Sequence, residues 1–151
     1  SSSSATLPVS LECTREHLGI SEDISGFVMS LGSTINMNGA AIGQAVSSYF
    51  IAQAYGIELG LMKIVLLYLT ALLSSIGAAG IPGTGIVMLS MVLNALGLPI
   101  EGIALVAGVD RLREMISSVT NVLGDGVAAV YIATVEKQIN KDQYNHATWL
   151  E

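Results

Sequence analysis

Residues 64–100 read IVLLYLTALLSSIGAAGIPGTGIVMLSMVLNALGLPI and contain no Asp, Glu, Lys or Arg. The run is longer than the ~20 apolar residues that cross a bilayer as a helix. Its centre, however, is poor helix. Ser74, Ser75, Gly77, Gly80, Pro82, Gly83 and Gly85 crowd into one short stretch, where proline removes a backbone donor and repeated glycine raises the cost of ordering the chain. Two arms result, about Met62–Ser75 and about Ile86–Leu96. Each is about a dozen residues long and falls short of a ~30 Å hydrocarbon core. Two short arms around an irregular tip describe a re-entrant hairpin. Such backbone is tolerated at membrane depth only where protein buries it or water reaches it, so the tip should line a site.

A second uncharged stretch runs from Ile24 to Ile57. Asn36-Met37-Asn38-Gly39 interrupts it, because asparagine side chains compete for backbone hydrogen bonds and glycine accepts turn geometry. A helix from about Glu22 should break there and resume through about Tyr55. Before it, Thr6 to about Leu18 reads as a helix ending near Gly19, with Ser21 or Asp23 placed to cap its successor. After Gly97, Leu98 and Pro99, Glu101 to about Glu136 reads as one last helix, and the polar tail from Lys137 to Glu151 as frayed. The serine-rich start and the glycine-rich tip form a pair of interrupted segments, a pointer to a transporter's binding site.

Composition agrees with a membrane environment. Hydrophobic residues make up 52% of the 151 and charged residues 12%, whereas soluble domains average about a quarter charged. A soluble binding module would lack the charge to cover its surface. The formal net charge is −6 and the six basic residues are scattered, which disfavours nucleic acid as a partner. A lone Cys13 supports neither a disulfide framework nor a zinc site, and neither His17 nor His146 has a catalytic partner at useful spacing. With no triad, phosphate loop or zinc spacing, an enzyme is not expected. The first residues lack the pattern of a signal peptide, and the opening at Ser1 without Met suggests that a longer protein has been cut. Trp149 reads as an interfacial anchor.

The sharpest chemical signal lies on the last helix. At about 100° per residue, Asp110, Glu114, Ser117, Asn121 and Asp125 fall within an arc of about 80°. Ionisable groups inside a bilayer are costly and ordinarily face a cavity or bundle interior, where they serve ions or substrate. A purely structural reading pairs Arg111 and Arg113 with Asp110 and Glu114; it leaves Asn121 and Asp125 without a basic neighbour one turn away. Carboxylate, amide and carbonyl oxygens suit a hard cation, with Asn36, Asn121 and Asp125 as candidates. Backbone N–H groups at helix starts beside Ser2–Ser4 and Ile81–Gly83 can hold an anionic carboxylate. Taken alone, the two asparagines would read as an interhelical hydrogen bond and each tip as an ordinary loop.

Four stretches in order, SSSSATLP (1–8), GSTINMNG (32–39), SIGAAGIPG (75–83) and Val109-Asp110 through NVLGD (121–125), resemble the dicarboxylate/amino acid:cation symporter family of glutamate transporters and neutral amino acid exchangers. The resemblance implies an all-α membrane protein with re-entrant helical hairpins and broken transmembrane helices, a glutamate-transporter-like transport domain. Residues 1–20 would be the tip and second arm of a first hairpin, 21–56 a broken transmembrane helix, 62–97 a second hairpin that gates the site, 100–136 the last transmembrane helix and 137–151 a polar tail. Amino-terminal scaffold helices, against which the core of a homotrimer moves, would be missing.

By the same resemblance Ser3, Ile81, Glu114, Ser117, Ser118 and Asn121 would bind substrate. One sodium site would use Gly32, Asn36, Asn121 and Asp125, and another the carbonyls of Thr34, Ser75, Ile76 and Ala78. The coupling ion would be sodium, with a proton as the alternative. Ser117 stands where acidic-substrate members carry an arginine, and Ala40 where they carry a threonine. Asn38 and Glu114 each replace an aspartate. Loss of a guanidinium partner for a buried carboxylate should cost on the order of 3 to 5 kcal/mol. Symport of a small neutral amino acid is therefore expected, with an acidic amino acid or dicarboxylate held through Arg113 as the alternative. A channel or structural membrane subunit is the rival of another class. Membrane lipid is an expected partner and the bacterial inner membrane the expected location.

Overall fold

The computed structural model describes residues 2–76 and 83–146. These residues form an all-α chain. Helix α1 (Ser3–Glu12) runs into a π turn at Cys13–His17, followed by α2 (Glu22–Ile35), α3 (Asn38–Ala54), α4 (Leu61–Ile76) and α5 (Thr84–Leu96). A 3-10 turn (Ile100–Gly102) leads through α6 (Ile103–Ala107) to α7 (Asp110–Val135) and a short α8 (Lys141–Asn145). Among the described residues α7 alone has the length and apolar composition to cross a membrane, and α4 and α5 are shorter apolar helices.

Helices α4 and α5, over the residues where the arms of a second hairpin were expected, pack against each other. Their connection lies outside the described residues. The break at Asn36 is also present. Asn36 (φ −98°, ψ 69°) and Met37 (φ −100°, ψ 49°) leave the helical region between α2 and α3.

Three local expectations are corrected. The last helix does not begin at Glu101: Val109 (φ −110°, ψ 1°) departs from helix geometry and α7 starts at Asp110, whose carboxylate is favoured beside a helix N-terminus. Ser21 does not cap α2 through its side chain; its hydroxyl donates to Gln138 Oε1 at 2.7 Å instead. The chain after Lys137 is not frayed up to His146. Ile139 bridges to Ile20, Asn140 N donates to Gly19 O at 2.8 Å, and Gln143 Nε2 donates to the carbonyls of Glu16 at 2.5 Å and Arg15 at 3.1 Å. Those carbonyls belong to the last turn before His17, where a helix end leaves its C=O groups without intrahelical partners.

Two apolar clusters flank a polar waist. One joins Ile51 and Ala52 of α3, Leu67 of α4, Leu89, Val92, Leu93 and Leu96 of α5, and Val106 of α6. The other joins Ile20, Ile24, Val28 and Met29 to Ala129 and Ala133 of α7. Between them lie the α2–α3 break and the middle of α7. The outer face of α7 is apolar and exposed, with Ile116 at 69% and Val127 at 70%. The helix therefore presents polar groups inward and hydrocarbon outward, the arrangement expected when lipid replaces water as solvent.

Candidate functional site

The stripe read from α7 is buried along its whole length: Asp110, Glu114, Ser117, Asn121 and Asp125 are each no more than 9% exposed. The α2–α3 break faces it, so backbone groups left without helical partners meet side chains that need them. Gly39 N donates to Asn121 Oδ1 at 2.7 Å, and Gly39 O accepts from Ser117 Oγ at 3.0 Å. The same glycine thus contributes both of its backbone polar groups to α7. A Cβ at Gly39 would overlap the Ser117 backbone, and one at Gly32 would overlap the Asp125 carboxylate. Absence of side chains at these two positions is what allows the broken helix to lie against α7.

Asn121 is the junction of the site. Its Nδ2 is 3.3 Å from Ser3 Oγ and 3.2 Å from Met37 Sδ, which brings the buried Ser3, the break and α7 together. Ser118 sits apart from the inner stripe, half-buried in a cleft between α1 and α7 beside Ser2, Thr6 and Met115. Ile81 lies outside the described residues.

The charges divide into two groups. Arg113 pairs with Asp110, Nη2 to Oδ1 at 2.5 Å and Nε to Oδ1 at 2.9 Å. Arg111 meets Glu114 Oε2 at 3.3 Å from an exposed position. The pairings anticipated by the structural reading of this helix are therefore present. Glu114 also accepts from Gly83 N at 2.9 Å, which ties the start of α5 to α7. Asp125 differs. It is 2% exposed and accepts from Asn36 Nδ2 at 2.7 Å, and no basic residue pairs with it among the described residues. A buried carboxylate with only an amide partner carries several kcal/mol of uncompensated desolvation.

An oxygen-preferring monovalent cation answers that need. No group of three His, Cys, Asp or Glu occurs among the described residues, so the donors near Asp125 are one carboxylate with amide and backbone groups, a set that suits a hard cation. Asn36 and Asp125 are in contact, Gly32 lies against Asp125, and Asn121 is one helical turn away on the same face. The second expected set consists of carbonyls, and its side chains turn to their own helices. Thr34 Oγ1 donates to Leu31 O at 2.8 Å and Ser75 Oγ to Leu72 O at 2.7 Å, each within its own helix. Ile76 closes α4 and Ala78 lies outside the described residues.

Sequence reading named the N–H groups at Ile81–Gly83 and placed Gly39 in the helix break, but it assigned no partner to either, and it gave no role to Gly43 and Gly85, against which the Arg113 side chain packs. Backbone donors carry no residue signature. Gly43 and Gly85 are visible as small residues on apolar helices, without indication of what fills the space.

A model of the Sodium:dicarboxylate symporter family matches residues 1–135. The chain is 45% identical over 128 residues to an excitatory amino acid transporter of Caenorhabditis elegans, covering 85% of this chain and 25% of that protein. It is 45% identical over 129 residues to the neutral amino acid transporter B(0) of Mus musculus, covering 85% and 23%. It is also 45% identical over 132 residues to excitatory amino acid transporter 4 of Mus musculus, covering 87% and 24%. The chain spans about a quarter of the length of these relatives.

Proposed function

The chain belongs to the sodium:dicarboxylate symporter family, and on that premise we propose that it is the transport core of an integral membrane symporter that moves an amino acid together with sodium. The observation that carries the reading is Asp125, buried at 2% exposure and, among the described residues, held by Asn36 with no basic partner. A structural subunit would gain nothing from an unpaired buried carboxylate, whereas a coupling cation compensates it. Sodium would be taken by Asp125 and Asn36, with Asn121 and the backbone near Gly32 completing the shell.

Ser3 and the Asn121 amide would meet the substrate's carboxylate, and Glu114 its ammonium. Glu114 accepts from Gly83 N. Arrival of an ammonium there would therefore compete with the contact that ties α5 to α7, which connects occupancy with movement of the second hairpin. Residues 1–20 supply part of a first hairpin, 21–56 a broken transmembrane helix, 62–97 the second hairpin and 100–136 the last transmembrane segment. Ser117 is uncharged and donates to Gly39 O, so a site lined at its side-chain end by Ser117 alone would favour a small neutral substrate. Assembly as a homotrimer and contact with lipid along the outer face of α7 complete the reading. The relatives compared come from animals, so a bacterial inner membrane finds no support among them.

Uptake tests the proposal. The full-length parent in proteoliposomes should accumulate labelled amino acid saturably when sodium is imposed outside and not when choline replaces it. Conductance that neither saturates nor depends on sodium would assign a channel instead.

A further inference from the structure

The two acid–arginine pairs at the start of α7 share one spacing, i to i+3, and differ in build. Arg113 is held by Asp110 through two donors, Nη2 at 2.5 Å and Nε at 2.9 Å, and its side chain is 16% exposed. Arg111 meets Glu114 through Nη1 and Oε2 at 3.3 Å, with its own side chain 70% exposed and that of Glu114 only 10%. The first pair is a fixed part of the interior. The second joins a buried carboxylate to a cation at the surface of this chain, and an ion pair with so exposed a partner is worth little and is easily broken.

The two oxygens of Glu114 have different partners. Oε1 accepts from Gly83 N at 2.9 Å, and a Cβ at Gly85 would stand 3.5 Å from the same atom. This oxygen therefore faces the N-terminal end of α5, where negative charge is favoured. A helix end carries only about half a positive charge, so α5 by itself does not balance a carboxylate. Arg111 supplies a whole charge at Oε2. The substrate's ammonium is the other unit cation that would reach Glu114, and Oε2 is the atom at which the two compete.

We propose that Arg111 is a positioning residue that stands in for the substrate's ammonium, neutralising Glu114 while the site is empty and yielding Oε2 when an amino acid binds. This rests on the reading above that Glu114 takes the ammonium. The consequence concerns the return of the carrier. A carrier that accumulates substrate must bring its site back across the membrane empty, whereas one that only exchanges brings it back loaded. A bare carboxylate is costly to hold among hydrocarbon. Because Arg111 lies on the same helix one turn before Glu114, the counter-charge travels with the carboxylate, and Glu114 needs no cation from solution to return.

Transport in two modes tests this, with the full-length parent in proteoliposomes and labelled serine, alanine, aspartate and glutamate as probes. Net uptake into empty vesicles under a sodium gradient is compared with exchange into vesicles preloaded with the same unlabelled amino acid. The wild type should perform both. Arg111→Gln should lower the ratio of net uptake to exchange by about fivefold, the upper range for an ion pair with an exposed partner. It should also lower KM in exchange, since the internal competitor is gone. Arg111→Lys, which restores a cation at the same position, should recover the ratio. An unchanged ratio, equal losses in both modes, a raised KM or a ratio that Arg111→Lys leaves low overturns the proposal, as does a wild type that exchanges without net uptake. Absence of sodium-dependent transport in both modes for every probe would instead remove the symport reading, and this inference with it.

Discussion

Gly39→Ala should weaken the protein out of proportion to the single methyl group added. The new Cβ would stand 2.8 Å from Ser117 Cα and 2.9 Å from Ser117 C, where ordinary contacts need about 3.5 to 4 Å, so the start of α3 must withdraw from α7 by roughly an ångström. That movement stretches two hydrogen bonds now at 2.7 and 3.0 Å. Overpacking costs about 1 to 3 kcal/mol and each bond contributes roughly 1 kcal/mol, which puts the destabilisation at about 3 to 5 kcal/mol. Because Asn121 is one of the displaced partners, uptake should fall as well. Thermal unfolding of the purified full-length parent in detergent reads the first effect and proteoliposome uptake the second. Gly60→Ala is the control, since Gly60 is exposed with nothing within 4 Å of an added Cβ. If Gly39→Ala unfolds at the same temperature as Gly60→Ala and transports normally, the close approach of α3 to α7 does not hold the site together.

Further outcomes follow from other features. Sodium should raise the melting temperature of the full-length parent relative to choline, since a ligand that binds only the folded state stabilises it; Asp125→Asn should abolish that rise while leaving the choline value equal or higher, because a buried unpaired charge is removed. Lys137 closes α7 with φ +58°, in a region that costs a non-glycine residue about 1 kcal/mol or more, so Lys137→Gly should raise the unfolding temperature unless strain there is absent. Gln143→Ala removes two bonds to the π turn, and amide exchange at residues 15–20 should quicken with little change in sodium-dependent uptake; unchanged exchange would show that the tail does not secure the turn.

Much of the architecture was legible in the sequence because its signals are local. Charge-free stretches separated by Asn36–Gly39 and by a run of glycines with one proline mark helices and their breaks through backbone preference alone. The polar stripe of α7 follows from the helical repeat. The start of α7 was not read from the sequence, although Gly108, a poor helix former, directly precedes the departure at Val109. Nor was the tail, whose polar composition hides hydrogen bonds to the carbonyls that a helix leaves unpartnered at its end near His17.

Residue types at fixed spacing determined by themselves that this chain is helical, suited to a membrane and provided with inward carboxylates and amides. The tertiary structure decided how those groups are partnered. Arg113 is drawn to Asp110 within its own helix, and its guanidinium lies against Gly43 of α3 and Gly85 of α5, which are far apart in sequence. Among the described residues Asp125 is left with Asn36 as its side-chain partner, because no basic group from another helix pairs with it. Pairing of charge depends on distance through space, which spacing along one helix specifies only for neighbours on that helix.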